Sequence, residues 1–301
     1  MDNDIRVVRV AKTIARKLKF RLDYLKFHII SPKSGNEVIE SAIKTGTPYM
    51  VARGGAVELR CIGEYLKSGT FTDNMREEVQ TCAGVFPTND DLLKKFCQYY
   101  LQCMESVDLL ALWGVGAEKY AVESHCSSAK FTELEALEPY YYTNPWSSAL
   151  AGKRVLVVHP FVESIKNQYA RRERLFEDKT VLPKFKSLEV VQAVQSNAGE
   201  IPKYDDWFEA LNYMQNEIKE KDFDVAIIGA GAYSLPLAAY VKSIGKVAIQ
   251  MSGATQILFG IKGKRWENIP EVSKLFNDYW IRPSEKETPK GNKKVEGGSY
   301  W

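Results

Sequence analysis

From residue 154 onward the chain alternates short apolar runs with stretches of helical period. Residues 154–158, Arg154 followed by the apolar, mostly β-branched run Val155-Leu156-Val157-Val158, predict a strand that stops at His159-Pro160-Phe161. A helix through Ile165, Tyr169 and Phe176 is expected next, then a strand over residues 188–195. Tyr204-Asp205-Asp206-Trp207 opens a helix carrying Leu211, Met214 and Ile218. Residues 224–228 predict a buried strand, and the turn from Gly229 to Ser234 leads into a helix through Leu237, Ala238 and Val241. Residues 246–250 predict another strand. Strands that alternate with helices and lack hairpin turns argue for a mainly parallel, Rossmann-like α/β sheet with helices on both faces.

The first half is less regular. Residues 5–30 carry Val7, Val10, Ala11, Ile14, Leu18, Leu22, Leu25 and Ile29 at helical spacing, set among eight basic residues with Asp23 the one acid. That pattern fits a basic amphipathic helix on an anionic membrane surface, and equally one packed on the body with a solvated basic face. Residues 31–36 read as a break, and a short helix is expected from Glu37. The apolar run 49–52 ends at Arg53-Gly54-Gly55 and passes into a helix carrying Val57, Ile62, Tyr65 and Leu66. Residues 83–87 form a turn, and a helix capped at Thr88 or Asn89 runs through Leu93, Phe96, Tyr100 and Met104. Residues 108–114 read as a strand, 115–128 as polar and irregular, and 138–146 as an aromatic, proline-bounded linker. The resulting division is 1–36 for helix and linker, 37–281 for the α/β domain with a sub-boundary near 139–152, and 282–301 for a tail packed on the body.

Composition narrows the function classes. A net charge of +3 over 301 residues, with no basic–aromatic run, gives no reason to expect nucleic acid as a partner. No apolar stretch reaches the roughly 18–20 residues that span a bilayer, so a cytoplasmic protein is expected, with peripheral membrane contact through residues 5–30 left open. Five cysteines without a CxxC pair read as reduced thiols, and three histidines make a histidine-rich metal site unexpected.

In a doubly wound sheet ligands bind outside the carboxyl ends of the strands, which here puts four polar or glycine-bearing turns on one rim. The turn at Arg53, Gly54 and Gly55 has a cation, close backbone approach and an open helix start, as an anion site requires, and is otherwise an ordinary βα turn. His159 ends its strand as a phosphate donor, a general base or a structural histidine. Gly229, Gly231 and Ser234 suit phosphate or hydroxyls, or close helix–strand packing. Gln250 stands where a dinucleotide enzyme carries a ribose-binding acid. Gln168, on an expected helix with Lys166, Arg171, Arg172 and Arg174, and Gln195, with Asn197 at a strand end, are candidates for sugar contacts.

Arg53-Gly54-Gly55-Ala56-Val57-Glu58, directly after a strand, resembles the Arg-x-Gly-Asp-x-Glu turn of the GT-D type glycosyltransferases, bacterial enzymes that build surface glycans. Residues 83–87, 155–161, 224–234 and 295–301 are also similar to members of that wider group, so the resemblance covers most of the chain after about residue 36. It implies a GT-D type Rossmann-like fold, a nucleotide-sugar donor, and a glycan, lipid-linked or protein-linked acceptor. By position it implies a phosphate-binding Arg53 and a catalytic or metal-contacting Glu58, with His159 the second candidate base. It also implies Mn²⁺ or Mg²⁺ in some members, but Ala56 occupies the aspartate position, and one carboxylate is a poor anchor for either ion. The competing expectations are a non-catalytic nucleotide-sugar-binding subunit and a NAD- or SAM-dependent Rossmann enzyme.

Overall fold

The computed structural model describes residues 18–200 and 202–301. Seven parallel strands form one sheet: β1 Tyr49–Arg53, β2 Leu109–Leu112, β3 Lys130–Glu133, β4 Arg154–His159, β5 Ser187–Gln192, β6 Val225–Ile228 and β7 Val247–Gln250. Their order is β3-β2-β1-β7-β6-β4-β5, with β1 paired to both β2 and β7 and β4 paired to both β5 and β6.

Alternation along each strand divides the core into two layers. Met50, Ala52, Leu110, Leu156 and Ile228 point to one face. That face is covered by α2 Ala56–Ser68, α3 Asp90–Met104, α4 Glu118–His125, α6 Trp207–Lys219 and α7 Ser234–Ser243. Val51, Ala111, Val157, Ile227 and Ile249 point to the other, against α1 Pro32–Thr45, the 3₁₀ turns of 134–150, α5 Val162–Ala170 and the segment 254–281. Both faces are buried, as an all-parallel sheet requires.

Helix boundaries follow from their caps. Residues 31–36, expected to be a break, instead begin α1: Ser31 accepts from the Ser34 N–H and Pro32 takes the first helical turn, where its missing N–H costs nothing. Asn89 caps α3 and Asp206 caps α6 in the same way. The irregular stretch 115–128 contains α4, a short helix with little amphipathic signal. β3 also went unread, because Lys130-Phe131-Thr132-Glu133 is too short and polar to show as a strand by pattern alone. The arginines expected on the helix after β4 lie past its end: α5 stops at Ala170, and Arg172–Arg174 form a 3₁₀ turn.

The basic stretch expected from residue 5 lies, up to residue 17, outside the described residues; residues 18–23 are helical. Phe20 and Phe27 pack on the first layer and Tyr24 is buried in it, while Leu18, Leu22 and Leu25 face outward. Among the described residues no helix is long and apolar enough to cross a membrane. Near the chain end, the Trp301 indole donates to the Glu287 carbonyl at 3.1 Å and its ring lies edge-on to Phe161.

Candidate functional site

The connection leaving β4 leads outward to β5, whereas that leaving β6 leads back to β7. The crevice between their carboxyl ends is therefore a topological switch point. His159 ends β4 and Gly229 follows β6. A Cβ on Gly229 would stand 2.6 Å from both the Ser252 carbonyl and the Thr255 hydroxyl, and 2.8 Å from His159 Cδ2. Only glycine leaves that crevice open.

A cavity of about 350 Å³ opens at this edge. Its walls come from the turns after β1, β4, β6 and β7, from 193–197 after β5, and from Glu296, Tyr300 and Trp301 near the chain end. Four of the turns expected on one rim therefore do line one space.

At one end stands Arg53. Its guanidinium lies 4.2 Å from the centroid of a Trp113 ring, and its Nε donates to the Gly54 carbonyl. Trp113 is fixed in turn, its indole donating to the same Gly54 carbonyl at 2.9 Å. The backbone N–H groups of Trp113 and Gly114 donate to Glu118, which is fully buried and also receives the Tyr24 hydroxyl at 2.7 Å. Among the described residues no carboxylate forms an ion pair with Arg53, so its charge is not consumed by the fold. Beside it, α2 begins at Gly55 without a side-chain cap. Glu58 folds over that start: a Cβ on Gly55 would fall 2.0 Å from its Oε2. Burial raises the Glu58 carboxyl above its usual range, against the opposing pull of its own backbone N–H and of Arg53.

A second carboxyl, Glu138, lines the same cavity. Burial lifts it to about 7, against the pull of the Arg53 charge. This places its titration where a general acid or base works best. The residue sits in the aromatic stretch 138–146 that the pattern gives as a linker. Its folded value lies above the ordinary 4.5, so the folded state holds the proton more tightly and stability falls as pH rises from about 4.5 to about 7. Glu138→Gln should therefore gain about 1–3 kcal/mol over wild type near pH 8 and nothing near pH 4. Urea melts of the two proteins at both pH values check this.

His159 is buried, and burial pushes it down to about 3. Its Nδ1 accepts from the Phe161 N–H at 3.0 Å, which leaves the proton on Nε2. At neutral pH it is an uncharged donor beside Gly229, a geometry suited to binding an oxygen rather than to taking a proton.

Other parts of the wall are polar in another way. Gln195, Asn197, Gln256 and Trp266 each line the cavity and each carry a buried polar atom with no partner among the described residues. Ser196 anchors this wall, donating to the Gly84 carbonyl at 2.6 Å and meeting the Tyr233 hydroxyl at 2.9 Å. Tyr233 itself stacks on Trp207 at 4.9 Å. Buried orphan atoms are uncommon because each costs about 1–3 kcal/mol when unmet, and these four belong to residues of one cavity wall.

Three expected site residues take structural positions away from the cavity wall. Gln168 is wholly buried and its amide donates to the Gly260 and Tyr279 carbonyls at 2.9 and 3.0 Å, holding α5 to the 260–281 segment. Ser234 accepts from the Ala230 N–H at 2.7 Å and closes the Gly229 turn. Gln250 accepts from the Arg53 N–H at 2.6 Å and donates to Ser252, tying β7 to the end of β1. Ser234 and Gln250 are held by hydrogen bonds inside the fold, and the Gln168 amide nitrogen likewise, although the Gln168 Oε1 is buried without a partner among the described residues; spacing alone does not separate such roles from ligand contact. Gly54 serves as the carbonyl acceptor described above, while Gly55, Gly229, Gly231 and Gln195 line the cavity.

No family model, curated protein or solved structure matches this chain.

The residues do not fit a firmly held divalent cation. Among the described residues no cluster of three histidine, cysteine, aspartate or glutamate side chains is placed to hold a metal. Ala56 supplies no oxygen beside Glu58.

Proposed function

We propose that this chain is a glycosyltransferase of the GT-D type that takes its sugar from a nucleoside-diphosphate donor. The observation that carries the reading is a single cavity that joins Arg53, a cation with no carboxylate partner among the described residues, to a wall bearing the side-chain amides of Gln195 and Asn197. In this account the acceptor hydroxyl attacks the anomeric carbon, the bond from that carbon to the diphosphate breaks, and its electron pair leaves with the diphosphate. Arg53 neutralises the charge that develops there. The His159 Nε2 donates to a phosphate or sugar oxygen. The proton released by the acceptor passes to a cavity carboxylate, Glu58 or Glu138, the latter lifted to about 7. Donor binding proceeds through side chains and backbone without a resident metal. The acceptor is a glycan, lipid-linked or protein-linked hydroxyl of the kind used in bacterial surface polysaccharide assembly.

The test is release of nucleoside diphosphate from a panel of UDP-, GDP- and dTDP-sugars by the pure protein. One donor is expected to turn over slowly with water as acceptor, and its binding is expected to survive EDTA. Binding without any release, even with glycan acceptors, would instead assign a non-catalytic donor-binding subunit.

A further inference from the structure

We infer that residues 18–28 dock this protein on an anionic lipid surface. Leu18, Leu22 and Leu25 are 54%, 67% and 75% exposed, the three most exposed large apolar residues among those described. Leu18 and Leu22 stand one turn apart on the 18–23 helix, and Leu25 follows in the turn that ends it. The opposite side is already committed: Phe20 and Tyr24 rings lie 4.8 Å apart, Phe27 packs edge-on to Phe131 at 5.4 Å, and the Tyr24 hydroxyl donates to Glu118. The segment is thus held rigidly with its leucines outward, which solvent alone gives no reason to keep.

Charge selects the occupant. Lys19 and Arg21 are exposed around the leucines, and Lys26, also exposed, pairs with Glu123. The two acids nearby are answered, Asp23 by Lys119 at 3.9 Å and Glu123 by Lys26 at 2.8 Å. Residues 5–17 add five basic side chains and no acid to the sequence leading into the patch. A second copy of the chain would set like charge against like, whereas anionic headgroups complement the rim while acyl chains receive the leucines. The Tyr24–Glu118 contact also joins this segment to the backbone that seats Trp113 under Arg53, so the docked surface and the Arg53 end of the cavity share one rigid support.

The inference is independent of the donor reading, and the test is flotation of the full chain with vesicles. Wild type is expected to float with phosphatidylglycerol-containing vesicles, to lose most of that binding at high salt, and to stay unbound to pure phosphatidylcholine. Leu22→Glu/Leu25→Glu, at exposed positions, should keep its circular dichroism and Tm yet lose vesicle-bound protein by about tenfold or more. Equal flotation of that variant, or no flotation of wild type, would overturn the inference. So would a wild-type dimer in light scattering that the same variant returns to monomer, since the leucines would then be covered by a second copy.

Discussion

Arg53→Ala is expected to weaken nucleoside-diphosphate binding by at least about 100-fold, a loss of roughly 3 kcal/mol, while leaving the fold intact. The guanidinium rests on Trp113 and makes one hydrogen bond to a neighbouring carbonyl, and its remaining donors are available to a ligand. Removing it costs the fold one cation–π contact, worth about 1 kcal/mol, but costs the cavity the cation at one end. It also withdraws the one favourable charge that acts on both Glu58 and Glu138, so both carboxyls should hold their protons to higher pH. Arg53→Lys keeps the charge and loses the planar fork and the flat stacking surface, and should lie between the two, about tenfold weaker than wild type. Titration calorimetry with a nucleoside diphosphate, read beside thermal melts, separates loss of binding from loss of structure. Equal affinities for wild type and Arg53→Ala would remove Arg53 from the site.

Glu118→Ala should be the most destabilising substitution near the site, at about 3–5 kcal/mol. One oxygen of this buried carboxyl receives the Tyr24 hydroxyl at 2.7 Å and the N–H groups of Trp113 and Gly114 at 3.1 and 2.7 Å. Alanine strands the Tyr24 hydroxyl in the core, takes the shared acceptor from the part-buried N–H groups of Trp113 and Gly114, and frees the Trp113 backbone beneath Arg53. Glu118→Gln keeps an acceptor oxygen at the same place and should cost far less. Chemical denaturation of the three proteins gives the ordering directly. Donor affinity should fall in Glu118→Ala even under conditions where it remains folded, because the perch of Arg53 loosens.

The physics of the pattern explains what could be read beforehand. β4, β6 and β7 are buried on both faces, and such strands show as continuous apolar runs ending in polar or glycine turns; their carboxyl ends therefore point to the rim where Arg53, His159 and Gly229 meet. β3 stayed hidden because an edge strand with Lys130 and Glu133 at its ends has little apolar signal. The apolar stripe Leu18, Leu22 and Leu25 was legible, but its direction was not: Phe20, Tyr24 and Phe27 hold the segment to the body, and the aromatic set was the one that packed.

Within the site, polar type and position near a strand end did not separate ligand-facing groups from structural ones. Gln250 and Gln195 both follow strands, yet Gln250 is used in pairing β7 to the Arg53 backbone while Gln195 keeps an unmet amide at the cavity. Glu138 was not legible as chemistry at all, because its raised proton affinity comes from burial among groups distant in sequence.

A crystal structure with a nucleoside-diphosphate sugar bound tests the central claim most directly. The account predicts diphosphate oxygens within about 3 Å of the Arg53 guanidinium and close to the start of α2, with ligand hydroxyls meeting Gln195 and Asn197. A donor bound outside this cavity, or inside it with its diphosphate turned away from Arg53, would contradict the account.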